Sequence, residues 1–478
     1  MKSIFKLISI ELNGIKNVEF GKLVFQESYI KDPEKNQCGV TGIYGQNGSG
    51  KTAAIDTFSL LKSLALQIPL NSNSAFSCLI NRKIKKGFVN YCFEEKNDSV
   101  IYNINYQVNI EAVGDTFKLQ INEEALEVIR YDIVSSKKTR LPKIDITYGK
   151  EDKNNIISSA SSLSASQLFD SKSTDYVFLL ANLIAAKTNV FNQCKSFLFS
   201  DYLSKLLNQS KDTNVKELSI VLSSLKNQIQ NKLAIYTTID DSVSNMGIAE
   251  LMADNESQPS ENGILSLALP NYCPFEVPEK KYDALKRLIK KINMVIPSFV
   301  PGFKADLNNL GSTVISKTKE TGYKVELMSV VDGIKIPMSA ESGGIKKLIS
   351  ICIGMIHMYN DPSFWLIVDE LDSGVFEYLL GQVLKILSEE GLGQLIFTCH
   401  NCRPLEILDK KSIYFSTTNP KNRYIHLINV KESNNIRDYY IRAIQIGGQK
   451  EELYKETNDG EISHALRESG KILDVLTN

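Results

Sequence analysis

The sequence predicts an α/β fold: a mixed, largely parallel sheet, an antiparallel β layer beside it, and a compact helical insertion. Three observations predict it. The short apolar runs GVTGIY, FWLIV and QLIFT read as strands buried on both faces, the pattern of a parallel sheet covered by helices. The first and second runs are followed by helical runs, and the second and third are joined by the amphipathic segment VFEYLLGQVLKILSEEGLG, a parallel crossover unit. Residues 87–150 alternate apolar and polar positions (GFVNYCFEE, SVIYNINYQVNIEAV, TFKLQINEE), with polar turns at Lys96-Asn97-Asp98 and near Gly114, as antiparallel strands do.

In chain order, the first chemistry lies in GIYGQNGSGKTAAIDTFSLL, residues 42–61. Gly45, Gln46, Asn47, Gly48, Ser49, Gly50, Lys51 and Thr52 fit the pattern G-x-x-x-x-G-K-[ST] between a β-branched apolar run and a helical one. The glycines let the backbone turn its N–H groups on phosphate oxygens, and the helix starting near Lys51 adds the positive end of its dipole. Lys51 is expected to reach the β- and γ-phosphates of ATP, and the Thr52 hydroxyl to ligate Mg²⁺.

Residues 151–170 are serine-rich and read as a linker or mobile loop. From about 173 to 235 the chain reads as helical. Leu218, Leu222, Leu225, Ile229 and Leu233 recur every three or four residues, a stripe too short for a coiled-coil seam and better read as core. Residues 253–276 read as an irregular connection, and KKYDALKRLIKKINMVI (280–296) as a basic amphipathic helix. RKIKK, SSKKTR and DALKRLIKK are basic clusters able to meet DNA phosphates, though such runs are ordinarily solvated faces.

In FWLIVDELDSG, residues 364–374, an apolar strand ends in Asp369 and Glu370. In a phosphate-loop protein a strand-end aspartate holds the Mg²⁺ shell, and a second acid beside it polarises the attacking water. QLIFTCHN brings His400 to the end of a neighbouring strand, where open α/β sheets bind ligands; the alternative is an ordinary core or surface histidine. SAESGGIKKLISI, residues 339–351, places Ser342, Gly343 and Gly344 before an apolar helix, which suits either anion contact or simple helix capping.

Composition narrows the classes. Of 478 residues, 43% are hydrophobic and 23% charged, with 55 basic and 55 acidic residues, so a general electrostatic grip on nucleic acid is not expected. No apolar run is long enough to span a bilayer, and the N-terminus lacks a signal-peptide core, so a cytoplasmic location is expected. The eight cysteines are scattered; Cys399 and Cys402 flank His400 without a second ligand pair, so no zinc site is expected.

The order of these motifs resembles ABC-type ATPases of the SMC, RecF and OLD group, often described as bacterial AAA-family ATPases. ISIELNGIKNVEFGKLVF resembles their first strands, SAESGGIKK their signature segment, and DELDSG their Walker B pair followed by the D-loop aspartate, Asp372. His400 resembles their switch histidine, while Ile345 replaces the Gln or Glu that many members carry. The resemblance implies an ABC-type head split between residues 1–150 and 330–430, and the residue pattern between and after these blocks leads us to expect a mainly helical insertion at 151–329 and a helical tail at 431–478. The resemblance further implies that two heads sandwich two ATP, with Ser342, Gly343, Gly344 and Asp372 serving the nucleotide site. Glu370, His400 and Lys51 would be catalytic, and Thr52 and Asp369 would hold Mg²⁺. Only 478 − 400 = 78 residues follow His400, too few for the nuclease domain fused to OLD proteins. A separate effector protein, a nuclease or a toxin, is therefore expected in an antiphage defence complex; a DNA-maintenance ATPase is the alternative, and no membrane partner is expected.

Overall fold

The computed structural model describes residues 3–31, 39–72, 74–114, 118–148, 168, 176–237, 246–251, 265–270, 274–316, 319–428 and 435–475. A hairpin of β1 (Ile4–Ile15) and β2 (Val18–Val24) precedes β3 (Gly39–Tyr44), which leads into α1 (Lys51–Ala65). Strands β4 (Lys86–Lys96), β5 (Val100–Val113), β6 (Lys118–Asp132), β7 (Lys138–Arg140) and β8 (Ile144–Thr147) follow. They pair antiparallel with the hairpin in a seven-stranded sheet of order β2-β1-β4-β5-β6-β7, with β8 beside β6. Alternate residues of β4 and β5 are buried, so one face of this layer packs inward, as the sequence predicts.

Next come α2 (Tyr176–Asn192), α3 (Asp201–Gln209) and α4 (Thr213–Lys232), the last two capped by the side chains of Ser200 and Asp212. Leu218, Leu222, Leu225 and Ile229 are buried in the core, and Leu233 begins a strand, β9 (Leu233–Tyr236), instead of ending the helix. Strand β10 (Met246–Leu251), just ahead of the segment 253–276 expected to be irregular, pairs antiparallel with β11 (Leu265–Pro270) inside it. Then β12 (Phe275–Pro278), α5 (Glu279–Phe299), β13 (Phe303–Val314), β14 (Thr321–Val331) and β15 (Ile334–Pro337) make a helix and a four-stranded antiparallel sheet. The expectation of a mainly helical insertion at 151–329 is thus corrected in its second half. TGYKVELMSVV buries every second residue for much of its length, a period that suits a strand. The serine-rich stretch 151–170 lies outside the described residues except for position 168.

The chain closes with α6 (Gly343–Asn360), β16 (Trp365–Val368), α7 (Glu377–Glu390), β17 (Gln394–Thr398), β18 (Ile413–Ser416), β19 (Tyr424–Ile425), α8 (Ile436–Ile446) and α9 (Asp459–Val475). The second major sheet has the order β19-β18-β3-β17-β16-β9, parallel except for β19. Every residue of β3, β16, β17 and β18 is buried. Ile43, Trp365, Ile367 and Ile396 face a core shared with α1, α4 and the antiparallel layer. Val40, Leu366, Val368 and Phe397 face a second core with α6 and α7. The α/β phosphate-loop fold with its added antiparallel layer is therefore the fold found. No helix among the described residues is long and apolar enough to cross a membrane.

Candidate functional site

The parallel strands β3, β16 and β17 all end on one side, and the loops leaving them build a cleft. The loop after β3 supplies Asn47, Gly48 and Gly50, and α1 supplies Lys51 and Thr52. The ends of β16 and β17 supply Asp369, Glu370 and His400. Eight expected residues, from segments more than three hundred positions apart, therefore meet at one place.

The loop is held from behind. Gly45 has φ +150, and a Cβ there would lie 1.8 Å from Ser416 Oγ on β18. Ser49 Oγ donates to Gln46 O at 2.6 Å and contacts the Ser416 hydroxyl, which donates to Tyr44 O at 2.9 Å. Tyr424 OH donates to Gly50 O at 2.6 Å. Gln46 does not line the cleft: its side chain accepts from Lys455 N–H at 3.1 Å, so a segment of the C-terminal tail lies along the loop. Lys51 is buried, and its ammonium donates to Gly45 O at 2.8 Å and Gln46 O at 3.1 Å. Burial pushes its pKa down, opposed by the carboxylates of Asp369, Glu370 and Asp372.

Asp369 is 2% exposed. Its Oδ1 accepts from Thr398 Oγ1, whereas its Oδ2 is buried without a hydrogen-bond partner. An orphaned carboxylate oxygen in a polar cleft beside the Thr52 hydroxyl is the hard oxygen donor set that suits Mg²⁺. Glu370 lies in the left-handed region, φ +47, a conformation worth about 1–2 kcal/mol of strain for a residue with a Cβ. Its N–H donates to Thr398 Oγ1 at 2.7 Å and its carbonyl accepts from the Lys347 ammonium, so the backbone is held from both sides.

Asp372 does not line the cleft. Its Oδ2 accepts from His400 N–H at 3.0 Å and Asn401 N–H at 2.8 Å, so it orders the loop that carries the histidine. Ser342, Gly343 and Gly344 do not line it either. They form the N-terminus of α6, where the Ser342 hydroxyl caps the helix by accepting from Ile345 N–H at 3.3 Å. Ser342 and Gly343 are exposed and Gly344 is buried.

Several contributors escape a reading of the sequence. Thr398 bridges both acids from β17, and the signal was only its place at the end of QLIFT. Lys16 and Asn17, in the β1–β2 turn, line the cleft, and Lys16 forms an ion pair with Asp56 of α1. Arg423, 5% exposed, donates to Asn17 O at 2.7 Å and clamps that turn. No glutamine stands among the described lining residues.

No curated protein matches the sequence. Similar solved structures include an Smc head domain with an extended coiled coil bound to the C-terminal domain of ScpA, derived from Pyrococcus furiosus, at 14% identity and TM-score 0.37, over 89% of this chain and 96% of that one. The SMC head domain from Thermotoga maritima is similar at 14% identity and TM-score 0.33, over 88% and 99%. An Smc head domain with a coiled coil and joint from Pyrococcus yayanosii is similar at 12% identity and TM-score 0.37, over 89% and 97%. Residues 40–407, from β3 and the phosphate loop to the segment beyond His400, match a P-loop ATPase family, and the chain belongs to that family, described as "AAA domain, putative AbiEii toxin, Type IV TA system".

Proposed function

We propose that the chain hydrolyses ATP with Mg²⁺ in a site completed by a second copy of itself, and that this turnover controls a separate effector protein in a bacterial antiphage defence complex. The observation that carries the hydrolytic reading is the pairing, across one cleft, of buried Lys51 with Asp369, whose Oδ2 is unpartnered, and Glu370. Thr52 and Asp369 would hold Mg²⁺, which when bound supplies charge neutralisation on the phosphates. Lys51 stabilises charge on the transferring phosphoryl group, and Glu370 accepts the proton of the attacking water. His400 stands at the same cleft to hydrogen-bond the γ-phosphate or that water. The N-terminus of α6 exposes Ser342 and Gly343, and the positive end of its dipole suits the γ-phosphate held by another copy. The defence role draws on the family's description, which speaks of a toxin in a two-part system.

Two measurements test this. Glu370→Gln should lower turnover by about 100-fold or more while ATP still binds; wild-type rates in the variant would rule the acid out. The same variant, tagged and purified from its native host with ATP and Mg²⁺, should carry a stoichiometric second protein. Recovery of the chain alone would sink the effector reading.

A second reading, a DNA-maintenance ATPase, draws on α5, whose outer face exposes Lys280, Lys286, Arg287 and Lys290. It requires salt-sensitive DNA binding that glutamate at Arg287 and Lys290 abolishes. DNA in the affinity-purified sample, without protein, would favour it.

A further inference from the structure

Lys347 stands one turn into α6 and is 6% exposed. Its ammonium donates to the backbone carbonyl of Asp369 at 3.3 Å and to that of Glu370. A charged donor on two carbonyls is a strong contact in a dry interior. These carbonyls belong to the two residues where β16 turns into the cleft, and the second of them has φ +47. Such a backbone persists only where its surroundings hold it. The Glu370 N–H is held by Thr398 Oγ1, and the carbonyl by Lys347 and by Ser373 N–H at 2.9 Å. Thr398 reads the peptide from β17 and Lys347 reads it from α6. The start of α6 also packs close to the same loop at Gly344, where a Cβ would lie 1.9 Å from Gly374 O.

We propose that Lys347 is a positioning residue for hydrolysis: by gripping the carbonyls of Asp369 and Glu370 it fixes the left-handed turn that aims the Glu370 carboxylate into the nucleotide cleft. The inference rests on the hydrolytic reading above and names a residue outside the cleft that the reaction depends on. A lysine serves here because its long stem crosses from the helix axis to the strand end, and its charge can satisfy two carbonyls at once. The reach also ties the acid to the helix whose exposed end carries Ser342 and Gly343. Loss of the ammonium would let the turn relax without removing any group that touches nucleotide.

The test uses the full chain with Mg-ATP. Lys347→Met should lower kcat by about 10–100-fold, the scale of a misplaced catalytic group, with KM and the ATP dissociation constant within about twofold of wild type. Lys347→Arg, which keeps donors on a long stem, should recover most of kcat. In the Glu370→Gln background Lys347→Met should change the residual rate by less than about twofold, because a residue that acts through Glu370 has nothing left to position. An unchanged kcat in Lys347→Met, an equal fall in both backgrounds, or a loss confined to ATP affinity would each overturn the proposal. If the methionine variant does not fold, Lys347→Gln replaces it, its neutral amide being too short to span both carbonyls, and the same split is expected. Wild-type protein that binds ATP but never turns it over would defeat the hydrolytic reading itself, a result distinct from active wild type with an indifferent Lys347→Met.

Discussion

At the scale of single residues, Gly343 and Gly344 look interchangeable in SAESGGIKK, yet the structure separates them. A Cβ on Gly343 would meet nothing within 4 Å, whereas one on Gly344 would lie 1.9 Å from Gly374 O. Backbone cannot yield as a side chain can, so Gly344→Ala should destabilise the chain by about 1–3 kcal/mol, while Gly343→Ala should be nearly neutral. Urea unfolding of the two variants checks this, and equal midpoints would contradict it. Gly343→Arg is the sharper probe of a composite site than any change at Ser342, which caps α6. It should leave folding and ATP binding intact and remove turnover; normal turnover would show that no second chain approaches this corner. The sequence marks the pair through its small residues, but which glycine serves packing depends on a loop thirty positions away.

At the scale of elements, β6 shows why a buried charge was illegible. Leu119 and Ile121 face the core, and strict alternation would send Glu123 inward next. A bulge opposite Asn109 and Ile110 inserts one residue, so Glu124, Leu126 and Val128 take the inner face. Glu124 then accepts from Tyr106 OH at 2.7 Å and Phe197 N–H at 2.9 Å, and from the hydroxyls of Tyr148 and Ser196. One carboxylate thereby ties β5, the end of β8 and the segment before α3 together. Glu124→Ala would strand these donors in an apolar core, and a loss of about 3–5 kcal/mol is expected in denaturant unfolding. A loss under about 1 kcal/mol would mean that water replaces the carboxylate there.

At the scale of the whole molecule, α1 must pack between the phosphate loop and the helical insertion, and one lysine records the compromise. Lys62 of α1 donates to Leu233 O of β9 at 2.7 Å, and burial pushes its pKa from 10.5 down to about 7. The folded state thus gives up the proton more readily than the unfolded chain. Between about 7 and 10.5 the unfolded chain binds more protons, so this group makes stability rise with pH across that window and adds no slope below it. Lys62→Met removes the term. The melting-temperature difference, variant minus wild type, should fall as pH rises from about 7 toward 9.5 and change little below about pH 6. A difference independent of pH would show that Lys62 stays charged throughout.

What the sequence determined by itself was local: the phosphate loop, the strand-end acids, the histidine at the end of the neighbouring strand, and the runs that become β3, β16 and β17. Such signals survive because the spacing of a turn, or an apolar run buried on both faces, is written in adjacent residues. Tertiary structure alone decided that β9 extends the parallel sheet, that Asp372 orders the His400 loop, that Lys347 grips the turn at Glu370 and that the tail lies along Gln46. Each of these joins segments whose meeting depends on how helices and sheets stack. A side chain's partner across such a gap follows from packing, which no local pattern encodes.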